Sequence, residues 1–292
     1  LLVTLMVHAV SARDLHVSMK GGDRNEGSLL KPFRTISAAA EVARPGDTII
    51  VHEGTYRERI TPPRGGESDA KRIVYQAAEG EEVVIKGSEI VDNWKPFKGN
   101  VWKATLPNSF FGETNPYDQL IHGDWFNDKG RPHHTGAVYL NGQALFETHL
   151  LERVLDPKIY PEARNPQTSL LTWFCECDDE NTYIYAHFGG KNPNDELVEI
   201  NVREACFYPD KPGRDYITVR GFRMCHAATQ WAPPTAEQIA LIGTHWSKGW
   251  IIENNSIHDS RCSGITLGKD RKTGQNVWSR WKSTRLNSSH YS

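Results

Sequence analysis

The chain of 292 residues has no run of about eighteen consecutive apolar residues, the least that a helix needs to cross a bilayer. It has no surplus of positive charge either: 34 Lys and Arg stand against 36 Asp and Glu, a formal net charge of -2. The basic footprint of a nucleic-acid binder is therefore missing, and neither nucleic acid nor a membrane is expected as a partner. Cysteine is sparse and carries no Cys-x-x-Cys pair and no Cys/His spacing suited to zinc. Cys175 and Cys177, two apart on a predicted strand, point to one face and are poorly placed to bond to each other. With Cys206, Cys225 and Cys262 they are expected to be free and mostly buried. Asp23, Asn25 and Asp47 lie scattered among turn residues and read as turn formers rather than as a calcium site. No metal and no cofactor is expected.

What the chain does have is short-period apolar patterning. Between Asp215 and Gly268 it reads DYITVRGFRM, KGWIIENNSIHD and CSGITLG, apolar strands of period two, each closed by Gly, Asn or Asp. No two-residue Asn-Gly or Asp-Gly hairpin turn separates them. Ile217, Val219, Phe222, Met224, Ile251, Ile257, Ile265 and Leu267 are expected to stack inward from successive turns of a right-handed parallel β-helix. Ordinary sandwich strands are the competing reading.

Residues 1–12 (LLVTLMVHAVSA) are apolar and end in small residues, as the end of an export signal would, so export to the periplasm or beyond the cell is expected; a buried first strand is the alternative. Residues 15–91 carry the first turns of the coil, with 35–44 as a short amphipathic helix, stopped by Pro45-Gly46, that caps the coil's open end. The pattern changes over 92–204 to hairpin-like strands, with Asn141-Gly142 between two apolar runs, and an inserted β-sandwich is predicted there. Coil patterning resumes over 205–274. Residues 282–292 are polar without periodicity, resemble a translated sequencing-adapter tail, and are expected to pack on nothing. The chain is thus all-β apart from its capping helix, and the inserted sandwich offers a surface for contact between copies of the chain.

Nine Trp and ten Tyr, many beside Gly, Asn or Pro, suit a surface that stacks on sugar rings, although filling a β-rich core is the commoner use. The densest aromatic and imidazole cluster lies in the loop from His226 to Gly249, which is why His226, Trp231 and Trp246 are nominated as substrate-binding residues.

The strings KPFRTISAAAEVARPGDTIIVHEGTYRE, LPNSFFGETNPY, GDWF, VYLNGQALFE, DYITVRGFRM, HAATQWAPPTAEQ and HWSKGWIIENNSIHD make the chain similar, collinearly from about residue 15 to 274, to glycoside hydrolase family 120. The resemblance implies a β-xylosidase with a β-helix core and an inserted β-sandwich, acting on xylo-oligosaccharides. It implies a retaining mechanism, with a carboxylate nucleophile and a carboxylic acid/base about 5 Å apart. In that family both carboxyl groups come from turns beyond the matched segment, so no catalytic residue is assigned here. Trp125, in GDWF, resembles an aromatic residue facing the xylosyl site. Two other readings stay open: a β-helix polysaccharide lyase, against which Asp215, Asp259 and Asp270 form no ligand row, and a non-catalytic carbohydrate-binding coil.

Overall fold

The computed structural model describes residues 12–123, 125–163, 165–231 and 239–267, and the backbone of Arg285–Ser288. The expected export signal, over 1–11, lies outside the described residues.

β-Branched residues at every second position favour a strand that buries one face. Thr48–Val51 buries Ile49 and Val51, Ile73–Ala77 buries Ile73 and Tyr75, and Ile217–Arg220 buries Ile217 and Val219. These strands pair in parallel, in the order Asp14–Val17, Thr48–Val51, Ile73–Ala77, Ile217–Arg220 and Ile251–Ile257. Round a corner the chain lays down a second parallel ladder, Gly54–Tyr56, Val83–Lys86 and Arg223–Cys225, which also ends on Ile251–Ile257. A third face is marked by the parallel bridges Ile60 to Phe207 and Phe207 to Ile242, and by Ile242–Gly243 pairing with Ile265–Thr266. Successive turns of the chain thus revisit the same three faces, and each turn is hydrogen-bonded to its neighbours. The mostly-β, parallel architecture expected from the sequence is the one found. Its core runs from Leu15 through Ile85, Phe207 and Met224 to Ile252.

The corner between the first two faces is made by the Asn-Asn pair. Asn254 takes a left-handed φ of 53°, and buried Asn255 accepts from Phe222 N at 3.0 Å and donates to Val219 O at 2.9 Å. One side chain thereby satisfies backbone groups that a bend would leave orphaned. At the far end of the second face, Gly87 lies so close to the next turn that a Cβ there would sit 2.7 Å from His226 O, so no other residue fits.

The inward set needs one correction. Ile217, Val219, Phe222 and Met224 are buried, but at the next turn Ile252, not Ile251, faces the core, and Ile257, Ile265 and Leu267 are only half-buried. Two adjacent isoleucines leave the parity undecided in the sequence, and the ladder decides it by pairing Ile252 with buried Val219. A second correction concerns the tail. The backbone of Arg285–Ser288 pairs in parallel with Ile251–Asn255, so those four residues are not outside the coil. An unpaired strand edge offers donors and acceptors to any extended segment within reach, polar or not.

Helix Ile36–Val42 buries Ile36, Ala39 and Ala40 in the coil core, and its first turn is tied down twice. Thr35 accepts from Ala38 N, and the Glu58 carboxylate accepts from Ile36 N and Ser37 N at 2.8 and 2.9 Å.

Antiparallel pairing between strands begins at Ser88 and ends at Asn201, apart from the isolated bridges Ser28 to Lys31 and Ser68 to Lys71. Ser88–Ile90, Val138–Leu140, Gln143–Ala144 and Val198–Asn201 form one sheet. Lys95–Lys98, Val101–Pro107, Phe146–Glu147, Thr172–Cys177 and Asn181–His187 form the other. Residues of both sheets share one core around Trp94, Tyr117, Trp173 and Phe188. Asn141 and Gly142, both with positive φ, make the predicted tight turn. All five cysteines are free; Cys175, Cys206 and Cys225 are buried, Cys177 and Cys262 half-buried.

Ile252→Ala should lower unfolding stability by about 2–5 kcal/mol while Ile251→Ala costs under about 1 kcal/mol. Urea midpoints at unchanged m-value read the difference, and equal losses would mean that the parity is misassigned.

Candidate functional site

In a parallel coil each corner lies about 4.8 Å above the corner of the preceding turn. The two-sheet unit leaves the coil after Val83–Lys86, between its second and third faces. One turn later the loop after Arg223–Cys225 leaves at the same corner, and after Ile257 so does the segment 258–264. Three excursions that are distant in sequence are therefore stacked on one another, and the site lies where they meet.

Their joint is ionic and dry. Glu199, on the last strand of the two-sheet unit, is fully buried, with Arg57 Nη1 at 2.6 Å from Oε1 and Lys86 Nζ at 2.8 Å from Oε2. Ser88 Oγ donates to it at 3.1 Å. Burial alone would push this carboxyl's pKa up; the hydrogen bonds from Lys86 and Arg57 and their charges prevail and hold it below the usual range.

Above the joint, the loop at 120–134 is pinned to the coil's excursion by a single amide. Gln230 Nε2 donates to Leu120 O at 2.8 Å, and its Oε1 accepts from His122 N at 3.1 Å and from Trp231 N at 2.9 Å. The pin brings Phe126 against Trp231, ring centroids 6.1 Å apart and tilted by 43°, with His133 edge-on to Phe126 at 5.7 Å. A second ionic knot lies close by. Buried Glu147 accepts from His134 Nδ1 and His134 N, both at 2.8 Å, and pairs with Arg261, whose Nε donates to His134 O at 2.8 Å. Burial opposes ionisation of Glu147, but the hydrogen bonds from His134 and the charge of Arg261 outweigh it, and its pKa lies low.

The structure brings only part of the nominated set together. Trp125, 79% exposed, precedes Phe126 in the chain, and half-buried Trp231 lies against the Phe126 ring, the two rings making an aromatic wall. His226 is placed in the joint instead of on the wall. It is 2% exposed, stacked on Tyr139 with centroids 3.7 Å apart, its Nδ1 3.2 Å from Ser88 Oγ. Burial holds its pKa down to about 4 against the pull of Glu199. Trp246 belongs to another corner, edge-on to His245, which stacks on Tyr208. Trp125, His226 and Trp246 all have left-handed backbones, with φ of 65°, 62° and 59°. Phe126, His133, Gln230 and Arg261 are members that the sequence did not reveal. The signal that finds them is the count of turns, since all three excursions follow a second-face strand.

The three buried carboxylates among the described residues, Asp47, Glu147 and Glu199, are each locked to a basic partner and each held ionised. A glycosidase's general acid needs the opposite, a carboxyl with a raised pKa. Asp215 and Asp259 are engaged with Lys248 and His258. Asp23 accepts from Arg34 N and Thr35 N, and Asn25 donates to Pro32 O, so both serve the loop before the helix. Among the described residues no group of three or more His, Cys, Asp or Glu could hold a metal ion.

His226 titrates lower folded than unfolded, so the unfolded chain binds the extra proton and stability falls as pH drops from about 6.5, the unfolded value, toward 4. His226→Asn, which tolerates the left-handed backbone, should flatten that limb by roughly 2–3 kcal/mol in urea unfolding at a series of pH values. An unchanged slope would mean that His226 is not held neutral in the joint.

Residues 91–200 match the family model described as "Glycoside hydrolase 120, insertion domain", and residues 19–62 match a protein family of unknown function, DUF1565. A solved structure described as the complex of XylC with xylose is 52% identical, with a TM-score of 0.86, over 90% of this chain and 43% of that one. The uncharacterized protein YwoF of Bacillus subtilis (strain 168) is 42% identical over 78 residues, which is 27% of this chain and 16% of that protein. Pectate lyase PEL9 of Emericella nidulans is 36% identical over 84 residues, 28% of this chain and 20% of that protein. The chain spans less than half the length of each of these relatives. A segment matching the insertion domain of glycoside hydrolase family 120 is carried on a parallel coil, and over nine-tenths of its length the chain is 52% identical to the XylC structure, so it is that family which the chain resembles.

Proposed function

We propose that this chain is the sugar-holding part of a retaining β-xylosidase that acts on xylo-oligosaccharides. The observation that carries the reading is the 52% identity, over 90% of the chain, to a structure described with xylose. Trp125, Phe126 and Trp231 form the wall on which a xylose ring stacks through its flat C–H face. The catalytic carboxyl pair comes from a part of the protein outside this chain, in keeping with the engagement of every buried carboxylate among the described residues in an ion pair. In the same reading the coil is right-handed, helix Ile36–Val42 is its cap, residues 92–204 are an inserted sandwich through which copies of the chain meet, and the run 1–12 is an export signal. Trp246 extends the wall only if the sugar chain reaches the next corner.

A second reading is favoured by the 36% identity to Pectate lyase PEL9, namely eliminative cleavage of acidic polymers. That likeness covers 28% of the chain against 90% for the first, and the xylosidase reading is preferred.

Xylotriose should quench the tryptophan fluorescence of this chain saturably, and Trp231→Ala should weaken its binding by about tenfold, the loss of a buried aromatic contact worth about 1.4 kcal/mol. Nitrophenyl β-xyloside should be hydrolysed by the protein extended by its further turns and not by this chain, because stacking holds substrate and transition state equally and gives no rate. Nitrophenol release by this chain, abolished by substituting one of its own carboxylates, would place the catalytic pair within it. Cleavage of oligogalacturonate but not of xylosides by the extended protein would establish the lyase reading.

A further inference from the structure

Side chains alternate along a strand, so Phe146 and Glu147 point to opposite sides of theirs. Glu147 enters the ionic knot beneath the aromatic wall. Phe146, together with Glu147 and Thr148, lines a cleft of about 140 Å³ in the two-sheet unit. That is well below the roughly 300–1,000 Å³ of pockets for drug-sized ligands, and suits one small ring.

The cleft has an aromatic floor and a cationic rim. The rings of Phe146 and Tyr160 lie 5.1 Å apart, tilted by 34°, and the Arg131 guanidinium stands 5.1 Å from the Phe146 centroid. Arg131 Nη1 donates to Glu147 O at 2.9 Å, which fixes the planar group. Arg153 and Lys158 are exposed at the rim. Lys158 has Asp156 at 3.3 Å, an exposed pair of little energetic weight, and Arg153 makes no ion pair among the described residues. Inside, Thr172 is 3% exposed and lines the cleft, and its Oγ1 has no hydrogen-bond partner. A buried hydroxyl without a partner is uncommon in a folded chain and is satisfied when a polar ligand enters.

We propose that this cleft is a second binding site, for a sugar acid: a single pyranose ring bearing a carboxylate, a uronate. The ring's C–H face covers Phe146 and Tyr160, the carboxylate faces Arg131, Arg153 and Lys158, and a ring hydroxyl meets Thr172. A neutral sugar brings no charge to the cationic rim, and a small anion leaves the aromatic floor bare. Binding at the cleft does not depend on the xylosidase reading, because neither Phe126 nor Trp231 lines it.

Titration calorimetry of the chain with glucuronate, glucose and acetate at fixed ionic strength tests the site. Glucuronate should bind saturably and at least about tenfold more tightly than either of the others, the scale of one charge-assisted hydrogen bond. Arg153→Ala and Lys158→Ala, both at the surface, should each weaken glucuronate by about three- to tenfold. Thr172→Val keeps the packing volume and should weaken glucuronate without lowering the thermal midpoint, since no internal bond is lost. Trp231→Ala should leave glucuronate affinity unchanged. Absence of saturable binding, equal binding of glucose or acetate, indifference to the rim substitutions, or loss of glucuronate binding in Trp231→Ala would each overturn the proposal.

Discussion

A carboxylate with no exposed surface, Glu199, governs how the two-sheet unit sits on the coil. Burying a charge costs several kcal/mol that only close partners repay. Those partners come from two successive turns, Arg57 beyond one second-face strand and Lys86 at the end of the next, and Ser88 and His226 complete the enclosure. Any other seating of the unit would strand the charge at a penalty of about 3–5 kcal/mol, the scale for breaking a buried pair. The joint therefore admits one arrangement, and that arrangement sets Leu120 and His122 within reach of Gln230 and Phe126 against Trp231. The aromatic wall at the surface is positioned by an ionic contact that no sugar touches.

The coil was legible in the sequence because its physics is local. Period-two burial with Gly and Asn at corners is written into segments of five to ten residues, and the corners at Gly221 and Asn254 fall where the pattern breaks. Where local signals tie, the sequence is silent. Ile251 and Ile252 are equally apolar, and only the pairing with Val219 chooses between them. Contacts made by the return of the chain were not legible at all: Phe126 and Trp231 are more than a hundred positions apart, and their meeting follows from stacked corners. His226 shows a third kind of limit. Its neighbours suggested a binding loop, yet an imidazole also makes a flat core residue, and Tyr139 at 3.7 Å uses it as one.

Stacked corners also explain the economy of the region. The coil supplies rigid exits at a fixed spacing, so chain inserted at one exit necessarily overlies chain inserted at the next. The two-sheet unit then adds depth, and its short strand Phe146–Glu147 borders two surfaces, since both residues line the basic cleft and Glu147 also pairs with Arg261. A single edge strand thus couples the packing of the wall to the shape of the neighbouring hollow.

Trp125, His226 and Trp246 hold their rings on left-handed backbones, a conformation that costs an ordinary residue of order 1–3 kcal/mol and glycine almost nothing. At each of these positions the protein keeps a bulky ring where the backbone alone would prefer none. Directed evolution toward heat tolerance alone would therefore tend to erase the ring of Trp125, which has almost no packing to lose, and to keep that of buried His226. At Trp125 heat tolerance and the exposed ring thus draw on one residue, and improving one there is done at the expense of the other.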